Sequence, residues 1–158
     1  MNTQIEIIRA DLADIPLVAP LFDAYRQFYK QATDIEGALR FLRARLQEKS
    51  SVIFLALRID ELGVRHACGF TQLYPSFSST TMEPIWILND LFVESEARRY
   101  GIGRALLERA RDFGRETHTK ELILQTAVDN STAQALYDAA GWLRDEEFLT
   151  YVLYLKDG

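Results

Sequence analysis

Three groups of residues have the types and spacing to do chemistry. The first is Arg98-Arg99-Tyr100-Gly101-Ile102-Gly103-Arg104, which follows an apolar run ending at Val93 and opens an apolar-periodic segment. A strand-to-helix junction of this kind aims free backbone N–H groups outward and carries about half a positive charge from the helix dipole. Its glycines let an anion approach the backbone closely. From Ala97 to Arg115 there are six arginines against two acids, Glu108 and Asp112. The second group is Asn130 and Tyr137, which share a face if the helix reaches back to Asn130, because they lie about two turns apart. A carboxamide holds an amide and a phenol donates a proton. The third is Asn89-Asp90, which breaks the run from Ile85 to Val93. A carboxylate there is costly unless compensated, and it is placed to take a proton from an amine.

Other chemistries find less support. A dinucleotide fingerprint needs Gly or Ala where Leu106 stands, and no Walker loop or G-x-S-x-G elbow occurs. His66 and His118 have no metal-ligand spacing and are expected on the surface or in turns. Cys68, the single cysteine, lies in an apolar stretch and is expected to pack rather than to carry an acyl group. The net charge of −5 argues against nonspecific nucleic-acid binding and suits a cationic small molecule. The N-terminal residues show no secretory pattern and no apolar run approaches bilayer length, so a reducing compartment, the cytoplasm, is expected.

The elements that must position these groups follow from periodicity. Residues 5–9 read as a strand. A helix follows Asp14 with Leu17, Leu21, Phe22, Tyr25, Phe28 and Tyr29 on one face, and Asp34 caps a second with Ala38, Phe41, Leu42 and Leu46 inward. Residues 52–57 form a buried strand, 60–63 a turn and 67–73 its partner. Residues 75–81 are expected as a Ser- and Thr-rich connection. Strand 85–93, helix 101–113, strand 121–126 and helix 131–140 come next. Ser131 and Gln134 match a capping box for the last helix, and Gly141 ends it. Residues 148–155 read as a terminal strand paired with one starting at Trp142. The order predicts an α/β fold, one domain over 1–158 with a mixed sheet flanked by helices.

R-x-x-G-x-G at Arg98, Gly101 and Gly103, together with N-x-x-A-x-x-L-Y-x-x-x-G-W from Asn130 to Trp142, resembles the GNAT superfamily of N-acyltransferases. The detailed likeness runs from about Trp86 to Trp142. The stretch Leu88-Asn89-Asp90-Leu91-Phe92-Val93 is closest to small diamine, thialysine or protein-lysine acetyltransferases. The resemblance implies a mostly antiparallel sheet whose fourth and fifth strands splay apart. It implies acetyl-CoA as cosubstrate and no metal. Backbone groups of Leu91, Phe92 and Val93 would pair with the pantetheine arm. Arg98 and the amides of Arg99, Tyr100, Gly101, Ile102, Gly103 and Arg104 would hold the pyrophosphate, and Asn130 would contact the pantetheine or thioester end. Tyr137 is implied as general acid and Asp90, or an ordered water, as general base of a direct transfer to a primary amine. Tyr25, Phe28, Tyr29 and Tyr74 would line the acceptor site, and Asn89 would orient substrate or water. Polyamine-acetylating members often carry Glu-Asp-x-x-Val, where this chain has Asn89 first. A homodimer is common among such proteins. The rival reading is an acyl-CoA-binding sensor or partner-binding module without turnover.

Overall fold

The computed structural model describes residues 3–156. The chain runs β1 (Gln4–Arg9), α1 (Ile15–Phe28), α2 (Ile35–Gln47), β2 (Val52–Ile59), β3 (Arg65–Ser78), β4 (Glu83–Val93), α3 (Ile102–Glu116), β5 (Leu122–Ile123) and α4 (Ser131–Ala139). Short 3-10 turns precede α1 and α3, at Leu12–Asp14 and Ser95–Tyr100. The sheet has five strands in the order β1-β2-β3-β4-β5. The first four pair antiparallel, and β5 lies parallel to β4 after the α3 crossover. No helix among the described residues is long and apolar enough to cross a membrane.

β2 shows why the sheet has helices on both faces. Its first six residues are all buried, as in a strand covered on both sides. Ile53, Leu55 and Leu57 pack with Ile15, Val18, Leu21 and Phe22 of α1 and Ala38 and Leu42 of α2. The alternate residues Val52, Phe54 and Ala56 pack with Ile102, Leu106, Ala110 and Phe113 of α3. Each fully buried aliphatic or aromatic side chain contributes about 1.5–3 kcal/mol of burial.

Local signals set the helix starts. Asp34 caps α2 through Gly37 N at 2.9 Å, as its sequence position predicts. Buried Asp23 accepts from Asp34 N (2.8 Å), Thr33 Oγ1 (2.6 Å) and Gln27 Nε2 (3.0 Å), which clamps the α1–α2 connection. Burial would raise its pKa, but these donors and Arg26 hold it below the ordinary value.

Several expectations are corrected. Leu17 and Phe28 are exposed, and Ile15, Val18 and Ala19 supply the core face of α1 in their place. Phe41 is 41% exposed, although its ring stacks on Phe22. Residues 75–78 are strand, not connection, because they pair with Glu83–Trp86. β2 has already ended opposite Leu73, so Pro75 interrupts no second ladder. The capping box at Ser131 does not form. Asn130 caps α4 one residue earlier, and Gln134 donates to the carbonyls of Ala127 and Val128. β5 keeps only two of the six expected residues, because β4 turns away from it. The terminal strand is absent: residues 143–156 join no sheet and make no backbone–backbone hydrogen bond among the described residues.

Candidate active site

The site begins with a bulge in β4. β3 pairs Gln72 with Asp90 and then Leu73 with Leu88, so Asn89 is the extra residue. β5 pairs only with Trp86 and Ile87. From Leu88 onward the β5-facing edge of β4 is open, and Leu124, Gln125 and Thr126 run on unpaired across the gap. A cavity of about 520 Å³ occupies this opening. Leu88, Asn89, Leu91, Phe92 and Val93 line it from β4, with Leu124, Gln125 and Thr126 opposite.

Arg98, Gly101, Gly103 and Arg104 also line this cavity. Gly101 has φ +71°, the left-handed conformation that glycine adopts without strain, and an added Cβ would meet nothing within 4 Å. The first backbone bond of α3 runs from Ala105 N to Gly101 O at 3.0 Å. The N–H groups of Ile102, Gly103 and Arg104 therefore lack intrahelical acceptors, and no side chain caps them. At Gly103 a Cβ would stand 3.1 Å from Leu136 Cδ2 of α4, so the two helices approach closely there. Arg104 bridges α3 and α4 by donating to Ala139 O at 3.0 Å and pairing with Glu108. Arg98 donates to Val93 O at 3.1 Å. The side chains of Arg99, Tyr100 and Ile102 do not line the cavity. Arg99 lies over the Tyr100 ring, and Ile102 is fully buried in the α3 core.

α4 brings Asn130, Ala133, Leu136 and Tyr137 to the same cavity. The Asn130 oxygen is used as a helix cap, accepting from Ala133 N at 3.1 Å, while its amide nitrogen has no protein partner among the described residues. The pKa of Tyr137 is raised, first by burial and then by nearby Tyr29, so its hydroxyl is protonated at neutral pH. Tyr25, Phe28 and Tyr29 from the end of α1 complete the lining.

A second cavity, also about 520 Å³, lies beside the first. Phe22, Tyr25, Tyr29, Asp34, Phe41, Tyr74, Asn89 and Asp90 line it. The two share Tyr25, Tyr29 and Asn89, so they adjoin at the β4 bulge. Asp90 is 4% exposed. Its carboxylate accepts from Gln72 Nε2 at 2.7 Å and Asn89 Nδ2 at 3.1 Å, and Thr71 Oγ1 donates to its backbone carbonyl at 2.8 Å. Burial raises the Asp90 pKa, and the hydrogen bonds from Gln72 and Asn89 only partly offset this, with the Tyr25 hydroxyl close by and donating to Asn89 O at 3.4 Å. Burial and the Asp90 charge push the Tyr74 phenol up to about 12 and raise the Tyr25 phenol as well.

Every sequence-predicted side chain except Arg99, Tyr100 and Ile102 therefore lines one cavity or the other. Sequence reasoning missed Gln72, Phe41 and Phe22. A lone glutamine in an apolar strand was the available signal for Gln72, because a buried amide requires a partner. His66 pairs with Asp60 in the β2–β3 region, and Cys68 is buried with its thiol directed at Ala56 O. Neither belongs to the site.

A mixed sheet opened between its fourth and fifth strands, with uncapped helix amides on the opening, is an acyltransferase architecture. The chain belongs to the Acetyltransferase (GNAT) family, whose model matches residues 18–142. It is 46% identical to Uncharacterized N-acetyltransferase YhfO of Bacillus subtilis (strain 168), over 93% of this chain and 95% of that protein. A probable acetyltransferase of Haemophilus influenzae is 35% identical over 77% of this chain and 81% of its own. The crystal structure of a probable acetyltransferase superposes with TM-score 0.89 at 44% identity, covering 97% of this chain and 99% of that one. The protein is an acyl-CoA-dependent N-acetyltransferase, and its cosubstrate is acetyl-CoA.

Proposed function

We propose that the protein transfers acetyl directly to a primary amine that enters through the Asp90 cavity while acetyl-CoA occupies the splayed-strand cavity. The observation that carries this is the sharing of Tyr25, Tyr29 and Asn89 by the two cavities, which lets donor and acceptor meet at the β4 bulge. The residues present suit the cosubstrate. Uncapped amides of α3, with Arg98 and Arg104 beside them, match a diphosphate. The unpaired edge at Leu91, Phe92 and Val93 matches an amide-bearing arm, and the free Asn130 amide nitrogen can donate to it. Bound acetyl-CoA supplies an activated thioester and departs as a thiol.

The chain's own groups manage the protons. A lysine-like ammonium of pKa ~10.4 costs ~4.6 kcal/mol to neutralise at pH 7. Asp90 attracts that cation and, directly or through a water, receives its proton, and its raised pKa makes it a better base than an exposed carboxylate. Tyr137 stands protonated and donates a hydrogen bond to the developing sulfur anion. Complete transfer from a phenol raised above ~10 to a thiolate of pKa ~8.5 is uphill by at least ~2 kcal/mol. Tyr137 therefore stabilises charge first and gives up its proton late.

The acceptor class is a small diamine, a thialysine-like amino acid or a lysine side chain. Aromatic faces at Phe22, Tyr25, Tyr29, Phe41 and Tyr74 around one buried carboxylate favour an ammonium group on an apolar stem. Asn89 orients it at the bulge. The same reading takes 1–158 as one domain working in the cytoplasm, with a homodimer as its assembly. Thiol release from acetyl-CoA with a panel of amines, beside calorimetry of coenzyme A binding, tests the proposal. Release that rises with amines and fails with matched alcohols is expected. Tight coenzyme A binding without release for any amine would favour a silent sensor.

A further inference from the structure

α4 brings both Asn130 and Tyr137 to the cosubstrate cavity, yet its own hold on the fold is slight. None of its residues is fully buried. Leu136 and Tyr137 pack against the core that α3 covers, with Ala140 and Trp142 just beyond the helix. These contacts are apolar and non-directional, so they set the depth of the helix better than its rotation or its slide along α3.

The C-terminus of α4 supplies the missing direction. Gly141, at φ +90°, turns the chain back, so that Trp142 N donates to Tyr137 O at 3.0 Å and Gly141 N to Asp138 O at 3.2 Å. This is the Schellman arrangement. It satisfies those two carbonyls and leaves the next, Ala139 O, without a backbone donor among the described residues. Arg104 Nη1 of α3 donates to it at 3.0 Å. Arg104 Nε donates to Glu108 Oε1, also at 3.0 Å, so the planar guanidinium is held from two sides. Its charge stands at the negative end of the α4 dipole. Among the described residues, this is the one hydrogen bond from α4 to any residue outside 127–144. The bonded carbonyl belongs to the same helical turn as Tyr137. Donation to sulfur depends on a hydrogen-bond length, and a misplacement of about 1 Å can cost about 10²-fold in rate.

We propose that Arg104 is a positioning residue: by capping the C-terminus of α4 it fixes the turn that carries Tyr137 and aims the phenol at the thioester sulfur. This rests on Tyr137 being the proton donor. Arg104 also lines the cosubstrate cavity, so a simple contact with the diphosphate is the rival role. Lysine separates the two. It keeps a positive point charge beside the diphosphate, and it lacks the fork that joins Glu108 to Ala139.

Arg104→Lys changes a side chain that is 45% exposed, so the fold should survive it. The kcat for amine-dependent thiol release should fall by about 10-fold to 100-fold, while the calorimetric Kd for coenzyme A stays within about threefold. Full kcat with lysine, or a loss confined to Kd, would leave only the diphosphate role and overturn the proposal. Added to Tyr137→Phe, Arg104→Lys should cost no more than about a further twofold in kcat, because residues that act as one unit are not additive. Losses that multiply would show that Arg104 acts elsewhere. Hydrogen exchange reads the cap without catalysis. Amides of 135–141 should exchange about 10-fold faster in Arg104→Lys, with those of 109–116 unchanged, and an unaltered α4 would refute the cap. Equal kcat in Tyr137→Phe would instead sink the proton donor, and the positioning role with it, whatever exchange shows of the cap.

Discussion

The most informative perturbation is Gln72→Met, because it reaches Asp90 without touching either cavity. Gln72 is fully buried and gives Asp90 its shortest hydrogen bond, Nε2 to Oδ2 at 2.7 Å. Met has nearly the same shape and no donor. A hydrogen bond to a charged group is worth about 1.5–3 kcal/mol, and one pKa unit corresponds to about 1.4 kcal/mol. Removing the bond should therefore raise the Asp90 pKa by a further ~1–2 units. The sign is fixed: the bond stabilises only the carboxylate, so its loss favours the protonated form. If Asp90 acts ionised, the acid limb of kcat/KM moves to higher pH by the same ~1–2 units, while the plateau falls less. Thiol release followed from about pH 5 to about pH 10 would resolve that shift. Gln72 Oε1 has no partner in the buried site, so the substitution also removes an unsatisfied acceptor, which limits the cost in stability. An acid limb that stays in place in a folded Gln72→Met protein would show that Asp90 does not titrate in the reaction. The base would then be a water held elsewhere.

Tyr137→Phe should lower kcat by about 10²-fold to 10⁴-fold and leave the Kd for coenzyme A within about twofold. Since the Tyr137 pKa is raised, the wild-type rate should show no alkaline fall from this group below about pH 10, and an equal kcat in the mutant would remove it from the mechanism. Gly101→Ala forces φ +71° on a residue with a Cβ. It should cost about 1–2 kcal/mol of stability and weaken coenzyme A binding by calorimetry, whereas an unchanged Kd would place the diphosphate away from this loop. Cys68 is 1% exposed, and its thiol is pushed up to about 11, first by burial and then by Glu94. A thiol reagent at mild alkaline pH should label it only on unfolding, and prompt labelling of native protein would contradict the packing described.

The parts of this protein that could be read from sequence are those in which a local rule and the tertiary structure demand the same residue. The Asp34 cap, the buried run of β2 and the glycine-bearing entry to α3 are examples: backbone chemistry requires each, and packing does not override it. The interruption at Asn89-Asp90 was legible for a related reason, since a carboxylate inside an apolar strand needs a local irregularity or a partner, and here it has both. Elements decided by distant pairing could not be read this way. Pro75 suggested a loop, but it is tolerated because β2 stops opposite Leu73, a fact about another strand's length. Gln72 gave little signal, because its importance lies in what it faces across the bulge. Residues 148–155 are the clearest case. Their sequence announces a buried strand, and within one chain they are neither buried nor a strand. Strand propensity reports the need for a neighbour without naming which chain supplies it. A segment with that need and no partner strand among the described residues shows that the expectation of a terminal strand failed on pairing, not on propensity.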